Sequence, residues 1–171
     1  MKNGFGLKGS TPIMPARFTG QNKEKGISDK EIAEKCLYRN EKNEICIPNS
    51  WIRGSLIEQM IRSAGRNWKQ VKLEVSPRIQ VEPMLMPVGN EKYSIFRRQV
   101  PVHQGSKSSC DFAVNPIVPL PWKADGIINT TLEDRDMKEI LTKAGQDVGI
   151  GGWRTAGYGR FTVASFTEVT T

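Results

Sequence analysis

Two stretches of the chain carry apolar residues at helical spacing. Between positions 49 and 64, Ile52, Leu56, Ile57, Met60, Ile61 and Ala64 recur every three or four residues, while Arg53, Glu58 and Arg62 lie off that stripe. This is the pattern of a helix with one buried side. Pro48 precedes it, Asn49 or Ser50 supplies a cap and Gly65 stops it. From 131 to 144, Met137, Ile140, Leu141 and Ala144 repeat the spacing, with Glu133, Asp134 and Asp136 near the start and Gly145 at the end. A shorter helix opens on the capping box Ser28-Asp29-Lys30-Glu31 and carries Ile32, Ala33, Cys36 and Leu37 as far as Tyr38.

Extended segments fill the spaces between. Phe5 to Thr11 alternates and is closed by Pro12 and Pro15, and Glu44 to Ile47 is a short piece running into Pro48. From Gln70 to Val81, Val71, Leu73 and Val75 alternate with Lys72 and Glu74, then Ile79 and Val81 continue past Pro77, which predicts a strand followed by a hairpin with Gly89-Asn90 as its turn. Further extended runs span Tyr93 to Val102, Cys110 to Leu120, Trp122 to Thr130 and Arg160 to Val169. Pro116 and Pro119 demote the second of these to an edge or a loop. The order predicts an α+β fold with a ferredoxin-like (RRM-like) βαββαβ core, an inserted hairpin and loop region and a C-terminal glycine-rich loop. Residues 1–171 read as one domain.

Charge changes the picture. The 171 residues hold 25 Lys and Arg against 18 Asp and Glu, a net charge of +7, and the whole excess lies in the first 78 residues. A localised basic surplus attracts polyanions by counterion release. Three cysteines (Cys36, Cys46 and Cys110) share no metal-ligand spacing, so neither a disulfide framework nor a metal site is expected. No signal-peptide pattern and no run of 18 apolar residues is present, and the chain reads as soluble and cytoplasmic, without a membrane partner or cofactor.

The densest motif is Gly149-Ile150-Gly151-Gly152-Trp153-Arg154-Thr155-Ala156-Gly157-Tyr158-Gly159-Arg160. Two readings stand side by side. In one, exposed N–H groups form an anion nest, Arg154 and Arg160 add charge, and Trp153 and Tyr158 offer rings to a base. In the other, the loop is a tight structural turn whose aromatic rings plug the core. Arg97, Arg98, His103 and Lys107 form a stretch without an acid, either a phosphate grip or a charged edge. No catalytic or metal grouping can be assembled around His103, the one histidine. Gly4-Phe5-Gly6-Leu7-Lys8-Gly9 matches G-x-G-x-x-G only formally, with no strand before it and no helix pattern after it.

The glycine pattern at 149 to 159, together with Ile47-Pro48-Asn49-Ser50-Trp51-Ile52-Arg53-Gly54, resembles the RAMP superfamily, the repeat-associated proteins of CRISPR systems, and is most similar to backbone subunits that polymerise along a guide RNA. Phage and plasmid proteins share a similar opening around Lys8-Gly9-Ser10-Thr11-Pro12. The resemblance implies single-stranded RNA as partner, copies of the chain in a filament or other CRISPR-type subunits beside it, and contacts from Ser50, Arg53, Arg62 and Arg66 together with the loop. Members that cut RNA carry an acid after the first strand. Asp29 is the aspartate there, and its capping box accounts for it.

The expected activity is non-catalytic binding of single-stranded nucleic acid. Arg53, Arg62, Arg66, Arg97, Arg98, Arg154 and Arg160 would contact phosphates, with stacking on Trp153 or Tyr158 and weak sequence preference. The alternatives are an endoribonuclease using Asp29 or His103, and a RAMP-shaped protein-binding decoy or accessory of a mobile element.

Overall fold

The computed structural model describes residues 1–15, 26–65, 68–104, 107–132 and 134–169, with backbone only at 68, 100–104, 107–111 and 134–135. Four strands form the central antiparallel sheet: β1 (Lys2–Gly9), β4 (Ile79–Glu82), β8 (Lys123–Thr130) and β9 (Phe161–Glu168). Their order is β4-β8-β1-β9. With α2 (Asn49–Ala64) between β1 and β4, and α4 (Asp134–Lys143) between β8 and β9, this is the ferredoxin-like βαββαβ plan. Both helices bury their stripes against one face of the sheet: Ile52, Leu56, Met137 and Leu141 join Phe5, Leu7, Ala124, Ile128 and Phe161 in the core.

The insertions form two smaller sheets. One joins β2 (Tyr38–Arg39), β3 (Ile45–Pro48) and β5 (Leu85–Pro87), and the other is the hairpin of β6 (Ser94–Gln104) and β7 (Lys107–Ile117). The first short helix, α1 (Asp29–Cys36), starts as its capping box requires: the Glu31 N–H donates to the Ser28 hydroxyl oxygen at 3.3 Å, and the Ser28 N–H donates to the Glu31 carboxylate at 2.9 Å. It stops two residues short of Tyr38, which already belongs to β2.

Several expectations are corrected. The segment expected as a strand from Gln70 is a helix, α3 (Trp68–Val75), followed by a 3-10 turn (Ser76–Arg78), and extended structure begins only at Ile79. Val71 and Val75 are one turn apart and both pack on the core, whereas Leu73, which completed the alternation, is 78% exposed. Gln70 also donates to Glu74 at 2.9 Å along the helix.

No hairpin follows β4. It pairs with β8, and β5 pairs with β3. The Asn49 side chain donates to the Val81 carbonyl at 2.6 Å and the Asn49 N–H donates to the Met84 carbonyl at 2.9 Å, so the chain leaving β4 is pinned to the start of α2. Asn49 is thereby spent, and α2 begins after Pro48 without a side-chain cap.

Gly145 does not end the last helix. The helix continues through a π turn (Ala144–Val148) to Gly149, at φ 73°. Gly145 is needed inside it because a Cβ there would overlap the Phe161 carbonyl oxygen.

Candidate nucleic-acid interface

Along α2, Ser50, Gly54, Glu58 and Arg62 follow one another at steps of four residues, which lines them up as a ridge on the side away from the buried stripe. This ridge is about 18 Å long. Facing it is the glycine-rich loop, and between them runs a groove of three adjoining hollows of about 350, 420 and 470 Å³. The middle hollow shares Glu58, Gly151 and Arg154 with one neighbour and Arg62, Asp147 and Arg160 with the other.

The loop is placed by the segment that follows β1. The Thr11 hydroxyl donates to the Gly157 carbonyl at 2.8 Å and accepts from the Arg160 N–H at 2.9 Å. Gly159 N–H donates to Pro12 and Gly152 N–H donates to Met14, each at 2.9 Å. Gly159 stands at φ +72°, and a Cβ there would overlap the Ile150 carbonyl oxygen, which itself belongs to the residue whose N–H bonds back to Gly159. The N–H groups of Gly149, Ile150, Gly152, Gly157 and Gly159 are all donated to backbone carbonyls. Four of the loop's five glycine N–H groups are therefore turned into the fold rather than out as an anion nest, and these glycines serve close backbone packing that sets the shape of the groove.

Charge in the groove comes from side chains. Glu58 lies between two arginines: Arg62 donates to one carboxylate oxygen at 2.7 Å and Arg154 donates to the other at 2.8 Å. Burial pushes the Glu58 carboxyl up, but hydrogen bonds and charge from Arg62 and Arg154 outweigh it and hold the group below the usual carboxylate range. Arg62 also donates to the Asp147 carbonyl at 3.1 Å. Arg160 lines two of the hollows, and its Nη1 is buried without a hydrogen-bond partner among the described residues. Three guanidiniums against the carboxylates of Glu58 and Asp147 leave the groove one net positive charge.

Trp153 stands at the mouth in a left-handed conformation, φ 51° and ψ 39°. Its ring stacks on Tyr158 with centroids 5.6 Å apart and meets Phe96 at 5.4 Å, while the Arg98 guanidinium lies over it at 4.5 Å. Phe96 and Arg98 are two apart on β6 and share a face, so the hairpin docks on the loop through this cluster. Trp153 is thus engaged within the molecule.

The expected site residues divide accordingly. Ser50, Arg62, Gly151, Trp153, Arg154 and Arg160 line the groove, and Arg98 reaches it through Trp153. Arg53 does not: it donates to the Ile79 carbonyl at 3.0 Å and to the Ser76 carbonyl, tying α2 to β4. Arg97 lies on the other face of β6, over the Phe112 ring at 4.3 Å and 3.4 Å from Asp29. Asp29 lines none of the three hollows. Arg66 and the His103 side chain lie outside the described residues. Reasoning from the chain missed Glu58, although its i, i+4 spacing to Arg62 was legible, and missed Thr11, for which no local signal existed. Among the described residues no three His, Cys, Asp or Glu side chains group as a metal would need, and no helix is long and apolar enough to cross a membrane.

The four-stranded antiparallel sheet with α2 and α4 on one face makes this an α+β protein of ferredoxin-like fold. Two solved structures share the fold. One is a type III-B Cmr-beta complex bound to cognate target RNA, with TM-score 0.54 and 14% identity over 97% of this chain and 59% of the other. The second is Cmr6 from Pyrococcus furiosus, with TM-score 0.53 and 11% identity over 96% of this chain and 98% of the other. The chain thus spans 59% of the length of the Cmr-beta chain it matches. No family model and no curated protein sequence matches it.

Proposed function

We propose that the chain binds single-stranded nucleic acid, RNA in first place, along the groove between α2 and the glycine-rich loop, holding the strand by its phosphates without cutting it. The observation that carries this reading is the convergence of Arg62, on the α2 ridge, with Arg154 and Arg160, from the distant glycine-rich loop, on one open groove. The groove is long enough for several nucleotides and its arginines are placed for phosphates, so readout is of backbone rather than sequence. RNA is favoured because one structure of the same fold is bound to target RNA. Binding without cleavage is favoured because Glu58, one of two acids lining the groove beside Asp147, is committed to two arginines, and Asp29, outside the groove, is paired with Arg97. A filament of copies, or assembly with CRISPR-type subunits, would extend the groove from chain to chain.

Fluorescence anisotropy of labelled single-stranded RNA and DNA of equal length tests this. Three phosphate contacts give a slope of log affinity against log salt of about −2, roughly 20-fold between 50 and 200 mM. Purified protein binding neither strand at the lower salt overturns the reading, and cleavage of the RNA lost in Asp29→Ala would replace it with the endoribonuclease reading.

A further inference from the structure

The sheet has a second face, away from α2 and α4, and it carries an unusual pair. Lys8 on β1 stands directly opposite Lys123 on β8. The neighbouring Gly9 N–H donates to Trp122 at 2.9 Å, while the Lys123 N–H turns away to Val88 at 3.0 Å. The two lysines therefore form a non-hydrogen-bonded pair, in which side chains on one face come closest. Like charges in that position destabilise a sheet. Among the described residues neither lysine has an ion-pair partner.

The pair borders a cleft of about 410 Å³, within the range of small-ligand sites. Its floor is Gly6, where a Cβ would stand only 2.6 Å from the Ser165 hydroxyl and 3.0 Å from an Asp125 carboxylate oxygen, so a side chain there would close the cleft. A bulge in β9 shapes it further: Gly6 pairs with Ser165 and Leu7 with Val163, which leaves Ala164 extra and sets both Ala164 and Ser165 along the cleft. The Lys123 stem lies against Gly89, 3.2 to 3.9 Å from where its Cβ would be. Cationic groups thus sit at one end, and Asp125 lies two residues further along the same strand face, about 6.8 Å away.

We infer that this cleft is a nucleotide site separate from the groove, taking one ribonucleotide with its phosphate between Lys8 and Lys123 and its sugar hydroxyls donating to Asp125. A phosphate offsets the repulsion of the lysine pair, and a carboxylate that accepts from ribose hydroxyls favours ribose over deoxyribose. The ligand is a free nucleoside monophosphate or one residue of a strand. The inference stands on the sheet face alone and holds whether or not the groove binds nucleic acid.

Calorimetric titration of the full chain with AMP, dAMP, adenosine and inorganic phosphate tests it, followed by competition of bound AMP with an RNA oligomer to separate the two sources. AMP is expected to bind at least tenfold tighter than adenosine or phosphate alone, and several-fold tighter than dAMP. Lys8→Gln with Lys123→Gln should abolish binding, Asp125→Asn should remove the ribose preference while keeping AMP bound, and Arg154→Ala should leave AMP binding unchanged. Both lysines are exposed and repel one another, so an unchanged or slightly raised melting temperature accompanies the loss. Absence of AMP binding, equal binding of adenosine and AMP, or indifference to the lysine changes overturns the inference.

Discussion

Glu58 and Arg154, 96 residues apart in the chain, meet at 2.8 Å across the groove between α2 and the glycine-rich loop. The same carboxylate holds Arg62 at 2.7 Å, so one acid occupies two cations at the place a phosphate would use them. Glu58→Gln keeps the shape and frees both guanidiniums. Affinity for single-stranded RNA should rise several-fold, because phosphates no longer compete with the Glu58 carboxylate for Arg62 and Arg154. Arg154→Ala should weaken all sequences alike, by about threefold to tenfold. Paired salt titrations of the two variants check this, and a Glu58→Gln protein that binds more weakly than the parent would refute it.

Arg53 is expected to serve stability rather than binding. Its bonds to the Ser76 and Ile79 carbonyls join α2 to β4, and a charge-assisted hydrogen bond contributes about 1.5–3 kcal/mol. Arg53→Ala should lower stability by about 2–3 kcal/mol, a melting temperature some 4–12 °C lower for a domain of this size. RNA affinity of the folded variant should stay within twofold. Denaturation and anisotropy on the same sample separate the two effects.

Two glycines of the loop should respond in a fixed order. Gly159 and Gly157 both have positive φ, +72° and +88°, but a Cβ at Gly159 overlaps the Ile150 carbonyl whereas nothing lies within 4 Å of one at Gly157. Gly157→Ala incurs the left-handed conformation alone, about 1–2 kcal/mol. Gly159→Ala adds a backbone clash and should exceed about 3 kcal/mol. Urea midpoints of the pair test the order.

Tyr93 donates to the Glu34 carboxylate at 2.6 Å, joining the base of the hairpin to α1. That bond is the main reason Glu34 is held below the usual carboxylate range and the Tyr93 phenol is raised above its own. A depressed acid contributes stability that is present above its unfolded pKa and lost as pH falls through the folded value. A raised phenol contributes stability that is present below its unfolded pKa and lost as pH rises through the folded one. The stability difference between the parent and Tyr93→Phe should therefore be flat through neutral pH, shrinking in acid below about 4 and in alkali above about 10. A difference that does not change over that range would show the bond carries no linkage.

Much of the fold was readable along the chain because its signals are local. The stripes of α2 and α4, the Ser28 capping box and the edge prolines each depend on residues within a few positions of one another, and they suffice for the βαββαβ order. Helix α3 was misread because Val71 and Val75 satisfy both a period of two and a step of four, and only the exposure of Leu73 separates the cases. The glycine loop was visible, but its role was undecided until the Pro12 and Met14 carbonyls were seen to take its N–H groups. Composition, spacing and short-range periodicity thus determined the elements and the stock of arginines. Tertiary structure alone decided which arginines meet: Arg62 and Arg154 share Glu58, Arg53 is spent on backbone, and Arg97 and Arg98 part to opposite faces of one strand. The reason is that a charge acts over a few ångströms of space, and the chain brings positions 58 and 154 to that distance only by closing β9 beside β1.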